Sequence, residues 1–174
     1  MSDGGRRRGA SEVDLYLVRH AHAGNAGAWS GPDDARPLSA RGRDQAERLA
    51  AFLAAFLAGA GAPPLILTSP KLRASQTAAP IADATGAQVR IEPILGEGPD
   101  LVDVERLLTA AGDPERVLLV GHDPDFTALV EELTGATSIP MPKAGLARLT
   151  CRRPLVPGSG ALRWLIPPDL LPAR

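Results

Sequence analysis

Val13-Asp14-Leu15-Tyr16-Leu17-Val18-Arg19-His20 is the stretch that decides the fold. Its first six residues are short, mostly apolar and rich in strand formers, the pattern of a buried strand. It stops abruptly at Arg19-His20-Ala21-His22. A second run of the same kind, Val117-Leu118-Leu119-Val120, runs into Gly121-His122. The chain has 3 histidines, and all of them follow one or other of these two strands. In open α/β sheets, ligands bind outside the carboxyl ends of the strands. That edge is therefore where a functional site is expected.

Working outward, further apolar runs lie at 65–68, 88–91, 146–151 and 161–166. Helical periodicity fills the gaps between the first four strands. Ser39 is a candidate N-cap, followed by a stripe of Ala46, Leu49, Ala50, Leu53, Phe56 and Leu57, with Gly59 and Gly61 as stops. Further helices are expected over 71–85, 101–111 and 125–134, ending at Gly86, Gly112 and Gly135. Alternating strands and helices predict a three-layer α/β/α fold with a mostly parallel central sheet. The last two strands have no helix between them. They predict an antiparallel hairpin at one edge, joined through the turn-rich segment 154–160. Residues 12–174 read as one domain. Residues 1–11 contain Arg6-Arg7-Arg8 without an apolar core behind them, and read as a disordered tail rather than a signal peptide.

Composition removes several classes of function. A formal net charge of -1 and an aromatic content of 3% argue against nucleic acid as a partner. No apolar run is long enough to span a bilayer, so a membrane partner is not expected either. A single cysteine, Cys151, cannot form an internal disulfide and suits a cytoplasmic location.

The strand at 65–68 runs into Ser69-Pro70, and Arg73 follows on the first turn of the next helix. Three loops thus deliver Arg19-His20, Arg73 and His122 to one rim. Two guanidiniums and two imidazoles, with little acid expected nearby, suit a multiply charged anion. Arginine's planar fork matches phosphate oxygens, and a helix N-terminus adds its dipole in the same sense. An imidazole beside a bound phosphoryl group can act as its nucleophile.

These residues carry a family resemblance. Leu17-Val18-Arg19-His20-Ala21 resembles the Arg-His-Gly signature of the histidine phosphatase superfamily, with alanine in place of glycine. Arg36-Pro37-Leu38-Ser39, Gly42 and Gln45-Ala46 resemble the stretch that follows it. Thr68-Ser69-Pro70, Arg73-Ala74 and Gln76-Thr77-Ala78 resemble the second motif, and Val120-Gly121-His122 the third. The match runs in register from about Val13 to Gly145 and, with the short chain, points to the SixA-like branch. The fold so implied is phosphoglycerate mutase-like. The resemblance implies His20 as nucleophile, with Arg19, Arg73 and His122 completing the phosphate pocket, and with neither metal nor cofactor. Larger members also use an acid to protonate the leaving group. Glu97 is the candidate here and Asp100 the runner-up. The implied activity is hydrolysis of protein phosphohistidine; a small phosphoester substrate and a non-catalytic phosphate-binding module are the alternatives. Phosphohistidine needs the acid least, because an imidazole leaves as a neutral ring once protonated, whereas an alkoxide needs its proton badly.

Competing signals are weaker. Asp123-Pro124-Asp125-Phe126-Thr127 has the Asp-x-Asp-x-Thr pattern of magnesium-dependent phosphatases, but Gly121-His122 intervenes and little chain remains for that family's other residues. Asp125 is read instead as a helix N-cap, and Asp123 as a loop residue near His122. His22 is read as a rim residue. Trp29, in the Gly- and Pro-rich segment 24–37, either flaps over the pocket or packs on the surface.

Overall fold

Alternation within β1 (Glu12–Arg19) sets the layers of the molecule. Leu15 and Leu17 point to one face of the sheet, and Tyr16 and Val18 to the other. Both faces are buried, as a central strand under helices on either side requires. A computed structural model describes residues 11–61 and 64–172 of the chain.

Five further strands complete the sheet: β2 (Leu65–Thr68), β3 (Val89–Ile91), β4 (Arg116–Gly121), β5 (Leu146–Arg152) and β6 (Gly160–Ile166). Their order is β3-β2-β4-β1-β5-β6. The first four in that order pair in parallel, while β5 and β6 add an antiparallel edge. This is the α/β architecture expected from the sequence.

Helices α1 (Ala40–Leu57) and α2 (Leu72–Thr85) cover the Tyr16 face, through Ala46, Leu49, Leu53 and Ile81. Helices α3 (Leu101–Ala110) and α4 (Asp125–Thr134) cover the Leu15 face, through Val104, Leu108, Phe126 and Leu133. Each such fully buried leucine or phenylalanine contributes roughly 2 kcal/mol by leaving water. No helix among the described residues is long and apolar enough to cross a membrane.

Caps follow the sequence with one correction. Ser39 caps α1 by accepting from Gly42 N at 3.1 Å. Asp125 does not cap α4: Pro124 holds that position, and Asp125 lies inside the first turn. No side chain caps α4; Asp123, just ahead of Pro124, ties the first turn, its Oδ1 accepting from Thr127 N at 3.3 Å and from Thr127 Oγ1 at 2.5 Å. Most of the tail expected at residues 1–11 lies outside the described residues. Ser11 is described, and its carbonyl accepts from Arg153 N at 2.9 Å.

Candidate active site

Because β2, β4 and β1 are neighbours, their carboxyl ends open side by side. Backbone bonds stitch the three loops together at that point. His20 N donates to Gly121 O at 2.9 Å, and Ser69 N to Val120 O at 3.0 Å. A cavity of about 410 Å³ lies there, walled by Arg19, His20, Arg73 and His122. The sheet thus brings all four sequence-predicted residues into one site. A larger cavity of about 550 Å³ sits at the opposite end of β1 among Glu12, Asp14, Asp113 and Glu115. It contains no imidazole, and its arginine, Arg153, is bound by Glu105 and Asp113. The smaller cavity is the candidate active site.

His20 is held in one tautomer. Its Nδ1 lies 2.7 Å from Ala21 O, and a carbonyl can only accept, so Nδ1 carries the proton. The Nε2 lone pair is left for the cavity. Burial is the main cause that pushes the His20 pKa down to about 3, and His122, Arg73 and Arg19 push the same way. The ring is therefore neutral, as a nucleophile must be. His122 packs against it with ring centroids 5.1 Å apart. Its Nε2 lies 2.8 Å from Ser69 Oγ, and burial followed by the Arg73 charge lowers its pKa to about 4.

The two arginines are anchored from behind. Arg19 Nη1 donates to Met141 O at 2.6 Å. Arg73 gives Nη1 to Asp33 O at 2.8 Å and Nη2 to Asp33 Oδ2 at 3.0 Å. In both, the buried Nε has no hydrogen-bond partner among the described residues. Arg148, which does not line the cavity, has the same orphaned Nε, so what suits an oxyanion is two anchored guanidiniums on one cavity wall.

The expectation of little acid nearby is corrected. Glu97, Asp123 and Asp125 line the cavity, and Asp33 grips Arg73 from the loop ahead of α1. They come from three separate segments, at residues 33, 97 and 123–125, which only the fold brings together. Arg36, Lys71 and Lys143 line the cavity too; Arg36 stands in the Arg-Pro-Leu-Ser stretch, while no local pattern marks the two lysines. Glu97 lies on the exposed rim. Asp100 is away from the cavity wall: it caps α3, accepting from Asp103 N at 2.9 Å in a capping box. That engagement removes it as a candidate acid. Trp29 does not reach this cavity; it donates Nε1 to Pro32 O at 3.0 Å and lines a separate groove. His22 accepts at Nδ1 from Gly24 N at 3.2 Å. Among the described residues, no three His, Cys, Asp or Glu side chains gather closely enough to hold a metal ion.

The sequence profile of the histidine phosphatase superfamily (branch 1) matches residues 15–99. A structure of the protein histidine phosphatase SixA complexed with tungstate superposes with a TM-score of 0.73 at 26% identity, covering 92% of this chain and 100% of that one. The chain belongs to the histidine phosphatase superfamily. A SixA-type structure from Agrobacterium tumefaciens aligns at 27% identity and a TM-score of 0.71, over 89% of this chain and 97% of that one. Full-length agreement of this kind places the chain in the SixA-like branch. An 8-oxo-(d)GTP phosphatase of Mycolicibacterium smegmatis is 33% identical over 129 residues, 72% of this chain. The chain spans only 38% of the length of that protein.

The remaining histidine phosphatase motif residues hold the loops in place. Thr77 Oγ1 accepts from Ala21 N at 3.0 Å and donates to Arg73 O at 2.7 Å, linking the His20 loop to the helix that carries Arg73. Gln45 Oε1 accepts from His22 N, and Gln76 Oε1 from Leu38 N. Gly42 is needed for close approach, since a Cβ there would lie 1.9 Å from His22 O.

Proposed function

We propose that this histidine phosphatase takes a phosphoryl group onto Nε2 of His20 and gives it to water, and that its substrate class is protein phosphohistidine. The observation that carries the reading is the fixed tautomer of His20, which leaves Nε2 free in the cavity that Arg19, Arg73 and His122 also line. In the first step the N–P bond to His20 forms as the bond to the leaving nitrogen breaks, and that nitrogen ends protonated. In the second, water attacks phosphorus, the N–P bond breaks, and inorganic phosphate is released. The two guanidiniums and His122 face the equatorial oxygens, where charge must be neutralised during transfer.

Two features favour phosphohistidine over alkyl phosphates. Glu97 is the only sequence-predicted acid at the cavity, and it sits on the solvent-exposed rim, loosely placed for protonating an alkoxide. The segment after it is used up by α3, whose Leu101, Val104 and Leu108 are buried in the core, so it supplies no lid against a protein substrate. One observation favours a small phosphoester instead, namely the 33% identical relative named for a nucleotide substrate.

Brief incubation with labelled phosphohistidine peptide, acid-free quench and mass spectrometry would test the reading. The expected result is a phosphoryl group on His20, absent in His20→Ala. Turnover without a His20 adduct would sink the mechanism. Far faster hydrolysis of sugar phosphates or nucleotides than of the peptide would sink the substrate class alone.

A further inference from the structure

We infer that Lys143 and Arg36 form a second anion subsite beside the phosphoryl pocket, which takes an anionic group carried by the substrate next to its phosphoryl. This rests on the phosphatase reading and names a chemical requirement of the substrate that the reading leaves open.

The turn that carries Lys143 is built onto the nucleophile strand. Met141 O holds Arg19 Nη1, Gly145 O accepts from Arg19 N at 3.1 Å, and Ala144 N donates to the carbonyls of Arg19 and His20 at 3.1 and 3.2 Å. Gly145 N closes the turn on Pro142 O at 2.7 Å. Ala144 sits at φ 58°, a left-handed conformation that is unfavourable for a residue with a Cβ. The turn is tight enough to require glycine at 145, where a Cβ would lie 2.7 Å from Pro142 O. Lys143 is thereby fixed on the wall of the cavity.

Its charge is left uncompensated. Arg73 and Arg36 share Asp33, Lys71 lies 3.7 Å from Asp34, and Arg19 lies 3.8 Å from Asp123. Lys143 has no hydrogen bond and no ion pair among the described residues. The charges that act on it are Arg19, Arg36 and Arg41, all positive. Partial burial first, and then those cations, lower its pKa, as expected of an ammonium with no counter-ion. A single phosphoryl is already met by Arg19, Arg73 and His122. Arg36 reaches the same cavity with Nε tied to Asp33 and Nη1 to Ala23 O. The acids Glu97 and Asp125 come from other segments, and neither acts on Lys143. A carboxylate or a second phosphoryl would satisfy this wall.

Calorimetric binding at pH 7.5 tests the subsite with two matched pairs of probes: orthophosphate against pyrophosphate, and methylphosphonate against phosphonoacetate. Wild-type protein should bind the two-anion member of at least one pair about tenfold more tightly than its partner, the size of a partly shielded ion pair. Lys143→Met should lose that preference, Lys143→Arg should keep it, and Arg90→Met, at an exposed position that does not line the cavity, should keep it as a control for general loss of charge. A preference confined to phosphonoacetate identifies an acidic side chain flanking the phosphorylated residue. One confined to pyrophosphate identifies a phosphoanhydride substrate. Equal affinities within both pairs in the wild type, or a preference that survives in Lys143→Met, overturns the proposal. If orthophosphate itself fails to bind, the phosphatase reading falls and the subsite with it.

Discussion

Acidification from pH 7 to pH 5 should cost the fold about 4 kcal/mol through two histidines. His20 and His122 are 7% and 8% exposed, and their pKa values are lowered from 6.5 to about 3 and about 4. In the unfolded chain both return to the ordinary value. Below pH 6.5 the unfolded state therefore binds protons that the folded state refuses, and stability falls as pH falls. Their contribution is intact above about pH 6.5 and continues to be lost until the folded rings themselves titrate. Between pH 7 and pH 5 the linkage amounts to about 2 kcal/mol for each ring. His22 is shifted in the same direction and adds to the trend. Asp33 and Glu105, whose pKa values are lowered from 3.8 and 4.5, lose their contributions mainly below this window. Urea unfolding followed by circular dichroism at pH 7, 6 and 5 gives the free energies by linear extrapolation. His20→Asn keeps an N–H donor for Ala21 O and should remove about half of the pH dependence. Stabilities at pH 7 and pH 5 within about 1 kcal/mol of each other would refute the claim that both rings are held neutral by burial.

Three further perturbations probe the rest of the site. Asp33→Ala leaves Arg73 only the backbone carbonyl of residue 33; kcat/KM on a phosphohistidine peptide should fall about tenfold, chiefly through KM, and an unchanged KM would show that Arg73 needs no such anchor. Glu97→Gln should slow an alkyl phosphate by only a few-fold and phosphohistidine by less still, because the rim carboxylate is loosely placed and only the alkoxide depends on the donated proton; equal losses on both would remove Glu97 as the acid. Gly42→Ala forces α1 away from His22 O and should lower thermal stability by about 1–3 kcal/mol, measured by calorimetry.

Much of this site was legible because its signals are local. The β-branched and apolar run before Arg19 marks a buried strand, and the polar break after it marks the end of that strand. The same is true of Val120 and Gly121-His122, so period and punctuation sufficed to place three histidines at strand ends. Ser39 was readable as a cap because its bond reaches only three residues. Asp125 was misread because Asp123 competes for the same turn, and the choice between two carboxylates depends on backbone geometry that composition does not encode.

By itself, then, the sequence determined the order of strands and helices, the sheet edge at which a cavity opens, and four of the residues that line it, His20, Arg19, Arg73 and His122. Tertiary structure decided which groups surround them. The tautomer of His20 depends on where Ala21 O falls once Thr77 has fixed Ala21 N. The grip of Asp33 on Arg73 joins residues 40 positions apart, and the turn that sets Lys143 joins β5 to β1 across more than a hundred. Those contacts follow from strand order and loop closure, which arise only when two apolar faces of one sheet are buried together. No window of sequence short enough to read by pattern contains them.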